Sequence, residues 1–174
     1  ESVHDAIETV ALCIGEDDPL LVITADLISM AAPVTKEVVE QIQKATGIDS
    51  SRILLAASHT HSAPVPHDPS GTAIGVQRFS EQLTLALVKV GIDAFHARRP
   101  ARLVSGYGDA RIGFNRWKPT DVQELDTRIP VLLAIDFSLI PRLQFFLAVD
   151  ATQQPWAGTT QKCQVITREK QSDS

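Results

Sequence analysis

Two apolar runs near the start of the chain predict neighbouring β-strands. They cover residues 6–14 and 20–27, and the five residues between them include glycine, two aspartates and proline. Those residue types favour turns because they supply unusual backbone angles or local hydrogen bonds. The pattern therefore predicts a hairpin.

A helix and a third strand are predicted next. Apolar residues recur at helical spacing over residues 36–46, between a candidate N-cap at Thr35 and a candidate C-terminal glycine at Gly47. The following run, residues 53–58, is apolar up to its final serine. A strand, a helix and a strand with both strands apolar throughout predict a βαβ unit, whose parallel strands end at the same edge of the sheet.

The rest of the pattern predicts a long helix over residues 76–97, in which Gly91 is expected to weaken the last turns. Its predicted apolar stripe, widened by Leu85 and Val88, consists of Phe79, Leu83, Leu87, Val90 and Ala94. Strands are predicted at residues 101–107, 129–137 and 142–149, and a loosely ordered polar tail from about Lys162. The expected fold class is α/β, a mixed β-sheet with a βαβ unit flanked by helices. We expect one domain over residues 1–161 and a tail over residues 162–174.

Composition narrows the range of partners. The chain has 174 residues, of which 44% are hydrophobic, and its formal net charge is −5. An acidic chain whose densest basic cluster is Arg98, Arg99 and Arg102 argues against nucleic acid as a partner, because phosphate binding needs a larger basic face. The longest apolar stretch is too short for a transmembrane segment. Cys13 and Cys163 make no disulfide framework, although a single disulfide stays open.

The candidate chemistry lies directly after the third predicted strand, in the sequence His59-Thr60-His61-Ser62. Side chains alternate along a strand, so histidines two residues apart are expected to point to the same side. Neutral imidazole is a common zinc ligand and a ready proton carrier. The topology also predicts that Asp26, at the end of the second strand, lies near His59.

Each of these residues has a second interpretation. A His-x-His pair is often an ordinary surface pair, and Asp26 either orients a ligating imidazole or caps a turn. His67 and Asp68 suggest a different metallohydrolase site built from these two residues with His59 and His61. Ser62 beside a histidine suggests nucleophilic catalysis, but the chain has no Gly-x-Ser-x-Gly elbow.

Four segments in order resemble the N-terminal catalytic region of the neutral/alkaline, non-lysosomal ceramidases. The segments read LLVITADLIS at residues 20–29, TKEVVEQIQKATGIDSSRILLAASHTHSAP at 35–64, FNR at 114–116 and DTRIPVL at 126–132. The His-Thr-His-Ser element is the most specific of the four. The others gain weight from their order.

The resemblance implies a Zn2+-dependent hydrolase of an N-acyl amide bond, with ceramide as the type substrate and therefore a lipid-like or other N-acyl partner. It implies that His59 is a zinc ligand and that His61 and Arg116 are catalytic. Ser62 and Asn115 would bind the substrate or support these groups, as would Asp26.

The chain also departs from the family pattern. Asp150 stands where the family has a second zinc histidine, and aspartate is itself able to bind zinc. Ala63 replaces the usual glycine, and the family's Glu and Tyr ligands come from far downstream. We therefore expect a fragmentary or divergent relative, incomplete at both ends. A non-catalytic relative that has lost the metal set is the alternative, and the resemblance leaves a secreted, periplasmic or cytoplasmic location open.

Overall fold

A computed structural model of the chain describes residues 6–111, 126–136, 143–148 and 160–170. The described residues form two α-helices, seven strands and a 3-10 turn at Ser50–Arg52. In chain order the strands and helices are β1 (Glu8–Ile14), β2 (Leu20–Ala25), α1 (Ala32–Thr46), β3 (Ile53–Ala57), α2 (Ile74–His96), β4 (Arg99–Asp109), β5 (Arg128–Asp136), β6 (Leu143–Ala148) and β7 (Thr160–Lys170).

The chain divides into two compact units, and the first holds residues 1–100 together with 161–174. Its sheet has the order β3-β2-β1-β7. The hairpin β1–β2 and the pair β1–β7 are antiparallel, whereas β2 and β3 are parallel and are connected through α1. The predicted fold class, α/β with a mixed sheet, a βαβ unit and flanking helices, is confirmed.

One face of this sheet and both helices form the core. Alternate residues of β2, namely Leu21, Ile23 and Ala25, are almost fully buried, as a strand with one face against helices requires. Helix α1 adds Val34, Val38 and Ile42 to the same cluster. Burial of this apolar surface is the main stabilising contribution, and it fixes the strand ends from which the candidate site projects.

The ends of α1 are only partly as predicted. Thr35 is not the N-cap, because the helix begins at Ala32 and the amide of Thr35 already donates to the carbonyl of Ala31 at 2.9 Å. Pro33 in the first turn explains the earlier start. An N–H in the first turn would have no partner within the helix, so proline loses no hydrogen bond there, and its ring fixes φ near the helical value. Gly47 ends the helix as predicted, with φ 78° and its amide on Gln43.

Helix α2 buries its predicted stripe, but Gly91 has a different role from the one expected. A Cβ at Gly91 would lie 2.8 Å from Cδ1 of Ile42, 3.0 Å from Cδ1 of Ile23 and 3.3 Å from Cδ2 of Leu21. The absence of a side chain at Gly91 therefore allows α2 to pack closely against α1 and β2. Leu85, predicted to widen the stripe, is 65% exposed. Neither α2 nor α1 is long and apolar enough to cross a membrane.

Cys13 is a free thiol in this core and is fully buried. Burial raises the pKa of the thiol to about 11, although the charge of Arg98 acts in the opposite direction. The side chain therefore stays protonated at neutral pH and packs in the core cluster as a small hydrophobic group.

The second unit, residues 101–160, contains an antiparallel meander of β4, β5 and β6. The prediction of a loose tail is wrong, because residues 160–170 form β7 and pair with β1. The sequence of β7 contains adjacent valine, isoleucine and threonine, whose branched side chains favour an extended backbone. The assignment of residues 1–161 to one domain stays a prediction.

Candidate functional site

The parallel strands β2 and β3 leave the sheet at the same edge. Ala25 and Ala57 are register partners, and the first amide after β3, that of Ser58, donates to the Ala25 carbonyl at 3.0 Å. Asp26 therefore lies at the same edge as the histidines. Its amide donates to the carbonyl of Glu8 at 3.0 Å, and its Oδ2 faces the Glu8 amide at 3.4 Å.

His59 lies two residues beyond the end of β3 in a left-handed backbone conformation with φ 60°. Its Nδ1 is 2.7 Å from the backbone oxygen of Ile28, in the turn that comes after β2. A carbonyl oxygen only accepts hydrogen bonds, so Nδ1 is the donor and carries the proton. In the neutral ring Nε2 then keeps its lone pair. This is the arrangement in which metal-bound histidines are commonly held.

The imidazole of His61 lies beside that of His59. The ring centroids are 5.1 Å apart and the planes are nearly perpendicular, at 88°. The two histidines do not lie on a strand as predicted, because β3 ends at Ala57 and the left-handed residue His59 turns the chain. The rings come together through this turn instead, and both residues are exposed.

The residues after the pair continue the turn. The amide of Ser62 donates to the hydroxyl of Thr60 at 3.2 Å, which closes a short side-chain turn beneath the exposed Ser62. Ala63 is half-buried and its methyl group packs against the core cluster. An alanine in place of the glycine of the ceramidase pattern is therefore accommodated here by apolar packing.

Asp68 organises the loop between the histidines and α2. Its oxygens accept hydrogen bonds from Ser70, from the amide of Thr72 at 3.0 Å and from that of Ala73 at 2.9 Å. These hydrogen bonds, above all that of the Ser70 hydroxyl, lower the pKa of Asp68 to about 2. Because its oxygens face amides and a hydroxyl at the start of α2, this carboxylate is engaged in holding the loop.

The described residues supply only part of a metal site. Within residues 6–111 and the three shorter described ranges, no three His, Cys, Asp or Glu side chains are grouped so as to hold a metal ion. Asn115, Arg116 and Asp150 lie outside the described residues, so their roles stay predictions, as do those of Asp26, Ser62 and both histidines. The Ile28 carbonyl was not predicted as the partner of His59, because every residue has a backbone carbonyl and the sequence therefore carries no signal for this one.

A separate small cavity of about 230 Å3 lies at the other end of this unit and is lined by Glu16, Phe95, His96 and Arg98. Arg98 donates to the carbonyls of Phe95 and Gly15, each at 2.9 Å, and stacks over the Phe95 ring at 4.1 Å. The guanidinium thus connects the end of α2 to the hairpin turn and stabilises the fold.

The fold is similar to part of two solved ceramidase structures, which confirms the resemblance at the level of fold. A ceramidase complexed with C2 superposes with a TM-score of 0.56 at 19% identity, covering 76% of this chain and 29% of that chain. A neutral ceramidase from Pseudomonas aeruginosa gives 0.55 at 18% identity, covering 78% and 30%. The chain thus spans less than a third of the solved structures that it matches. No protein-family model matches it, and no curated protein has a matching sequence.

Proposed function

We propose that the chain carries part of the active site of a ceramidase-like, zinc-dependent hydrolase that cleaves an N-acyl amide bond. The observation that carries the proposal is His59. On a ceramidase-like fold, its ring lies two residues beyond the end of β3 and is held through Nδ1 by the Ile28 carbonyl, which leaves Nε2 unprotonated in the neutral ring.

The donor chemistry of His59 fits zinc, which binds imidazole nitrogen readily. His59 would be one ligand and Asp150 a second, and a catalytic zinc needs about three protein ligands. Bound zinc supplies a water whose pKa is lowered to about 7 and polarises a carbonyl group. The remaining ligands would come from outside the described residues.

The neighbouring residues would bind the substrate and transfer protons. The imidazole of His61, beside His59, is suited to returning a proton to the leaving amine. Arg116 would bind the negative charge that develops on the attacked oxygen, and Asn115 and Ser62 would add hydrogen bonds to the substrate. Asp26 would support the site from the end of β2. The substrate is a ceramide-like lipid, or another N-acyl compound.

The test uses the purified full-length protein, its zinc content and its hydrolysis of an N-acyl sphingosine. We expect about one zinc per chain, lost in His59→Asn, since Asn tolerates the left-handed backbone but is a poor zinc ligand. His61→Asn should keep the zinc and lower kcat by about 10²- to 10⁴-fold. His96→Asn, an exposed histidine on α2, is the matched control and should change neither quantity.

Other outcomes identify the alternatives. A folded protein with neither zinc nor hydrolysis would contradict the proposal and favour a non-catalytic relative of the fold. Zinc lost in both His59→Asn and His67→Asn would favour a metallohydrolase built on His59, His61, His67 and Asp68. The hydrogen bonds of Asp68 to the start of α2 weigh against that site, because its oxygens already have partners.

A further inference from the structure

A single carbonyl ties together the ends of β2 and β3. The oxygen of Ala25 accepts one hydrogen bond from the amide of Leu27 and another from the amide of Ser58, each at 3.0 Å. The first closes a tight turn after β2, and the second fixes the residue immediately before His59. The two turns therefore share one anchoring atom at the edge of the sheet.

The turn after β2 is also held from inside the protein. Leu27 is fully buried in the core cluster, so its backbone is fixed by packing as well as by the bond to Ala25. Ile28 is the next residue, and its carbonyl is the group that meets Nδ1 of His59. The position of that acceptor is thus determined by a buried side chain one residue away.

The backbone of His59 indicates that its position is enforced. Among the described residues it is the one non-glycine residue with positive φ, a conformation that side chains rarely adopt. Such conformations persist where the surroundings over-determine them, and they cluster at functional sites. Here Ser58 is held by Ala25 on one side, and the ring is held by Ile28 on the other.

We infer that the turn Ala25–Ile28, anchored by Leu27, is a positioning element that fixes the neutral ring of His59 as its Nδ1–H tautomer and so leaves Nε2 as its ligating nitrogen. Leu27 is then a positioning residue that acts through the Ile28 carbonyl. This inference rests on the proposed function only for the identity of the group that binds Nε2, which would be zinc. The tautomer is set by the hydrogen bond alone, since a backbone oxygen accepts and does not donate.

The first experiment reads the tautomer directly in the full chain freed of metal by chelation. A long-range proton–nitrogen correlation spectrum distinguishes a protonated from an unprotonated ring nitrogen, and the His59→Asn spectrum identifies the signals of His59. We expect the proton on Nδ1. A proton on Nε2, or a ring that averages between both forms as in a free histidine, would overturn the inference.

The second experiment separates positioning from general stability. Leu21→Ala near the start of β2 and Leu27→Ala in the turn after β2 each truncate a fully buried leucine, and both should lower the unfolding midpoint. Only Leu27→Ala should increase the Nε2–H form of His59 and weaken zinc binding, by about 10- to 100-fold. Equal effects of the two variants on the tautomer would contradict the role of Leu27.

A milder substitution at Leu27 keeps the test possible if Leu27→Ala does not fold. Leu27→Val removes one methylene group and should shift the tautomer in the same direction by less. The result is independent of the proposed function. A wild-type chain with Nδ1–H that binds no zinc would refute the zinc proposal alone, whereas zinc binding with an Nε2–H ring would refute the positioning inference alone.

Discussion

The two ends of the β2–β3 pair both use side chains to bind backbone carbonyls, but with different groups. At the hairpin end, Arg98 donates to Gly15 at 2.9 Å, and Arg52 donates to the carbonyl of Asp18 at 2.7 Å. At the other end, the imidazole of His59 donates to the Ile28 carbonyl at 2.7 Å.

The difference lies in the lone pairs that remain on the side chain afterwards. A guanidinium has donors only and no acceptor, so an arginine bound to carbonyls has no lone pair to offer a metal or a proton. An imidazole that donates through one nitrogen still has the other, which in the neutral ring accepts a proton or binds a metal. The histidine end is therefore suited to chemistry, whereas the arginine end stabilises the hairpin.

Among changes to the polar side chains of the two ends, the largest effect on stability is expected at the arginine end. Arg98→Ala removes hydrogen bonds to three carbonyls and the stacking on Phe95, and should lower the free energy of unfolding by about 2 kcal/mol in urea titrations. Zinc content should be unchanged. Arg98→Lys, which keeps the charge but not the planar fork, should recover less than half of the loss. Loss of zinc in Arg98→Ala would contradict the assignment of metal binding to the histidine end and of stability to the arginine end.

A medium effect is expected at the histidine end. At an ordinary backbone position alanine is more stable than glycine by about 0.4–1 kcal/mol, but at left-handed φ the order reverses. His59→Gly should therefore be more stable than His59→Ala by about 1 kcal/mol in urea titrations, while both variants lose zinc.

The neighbouring residue provides the control for that reversal. Ser58 does not have positive φ, so Ser58→Ala should be at least as stable as Ser58→Gly. The same order at both positions would mean that the left-handed turn of His59 is not enforced in solution.

The smallest effect on stability is expected for Asp68, which lies at the histidine end. Its carboxylate oxygens already accept hydrogen bonds, just as the arginine N–H groups at the other end already donate them. Its folded pKa of about 2 is below the unfolded value of about 3.9, so its stabilising contribution is complete above pH 4 and is lost as the pH falls towards 2. Asp68→Asn should flatten that part of the profile in urea titrations. Some slope should remain, because hydrogen bonds from Ser51 lower the pKa of Asp49 as well. A variant profile parallel to that of the wild type would contradict this account.

The elements nearest the candidate site were predictable because the local sequence of each one favours a single secondary structure. Two apolar runs around an amphipathic helix specify the parallel pair β2–β3, and Gly47 specifies the end of α1. The adjacency of Asp26 and the histidines is then a result of topology, since parallel strands end at one edge.

Other features depend on contacts between distant parts of the sequence. Gly91 was interpreted from helix propensity, but its surroundings are Leu21, Ile23 and Ile42, which no local pattern connects to it. Strand β7 pairs with β1 from the far end of the chain, so a polar local sequence was misjudged as a tail. The partner of His59 is a backbone carbonyl, which carries no residue-type signal.

The close approach at Gly91 has a consequence for local unfolding. Every fully buried side chain of α2 lies between Leu83 and Ala94, around the contact with α1 and β2, and the first turns from Ile74 carry only exposed or half-buried side chains. Amide hydrogens near Gly91 should therefore exchange with solvent only when the whole unit unfolds, whereas those of the first turns should exchange through local opening. The end of α2 next to the histidine loop is thus the end that opens most readily.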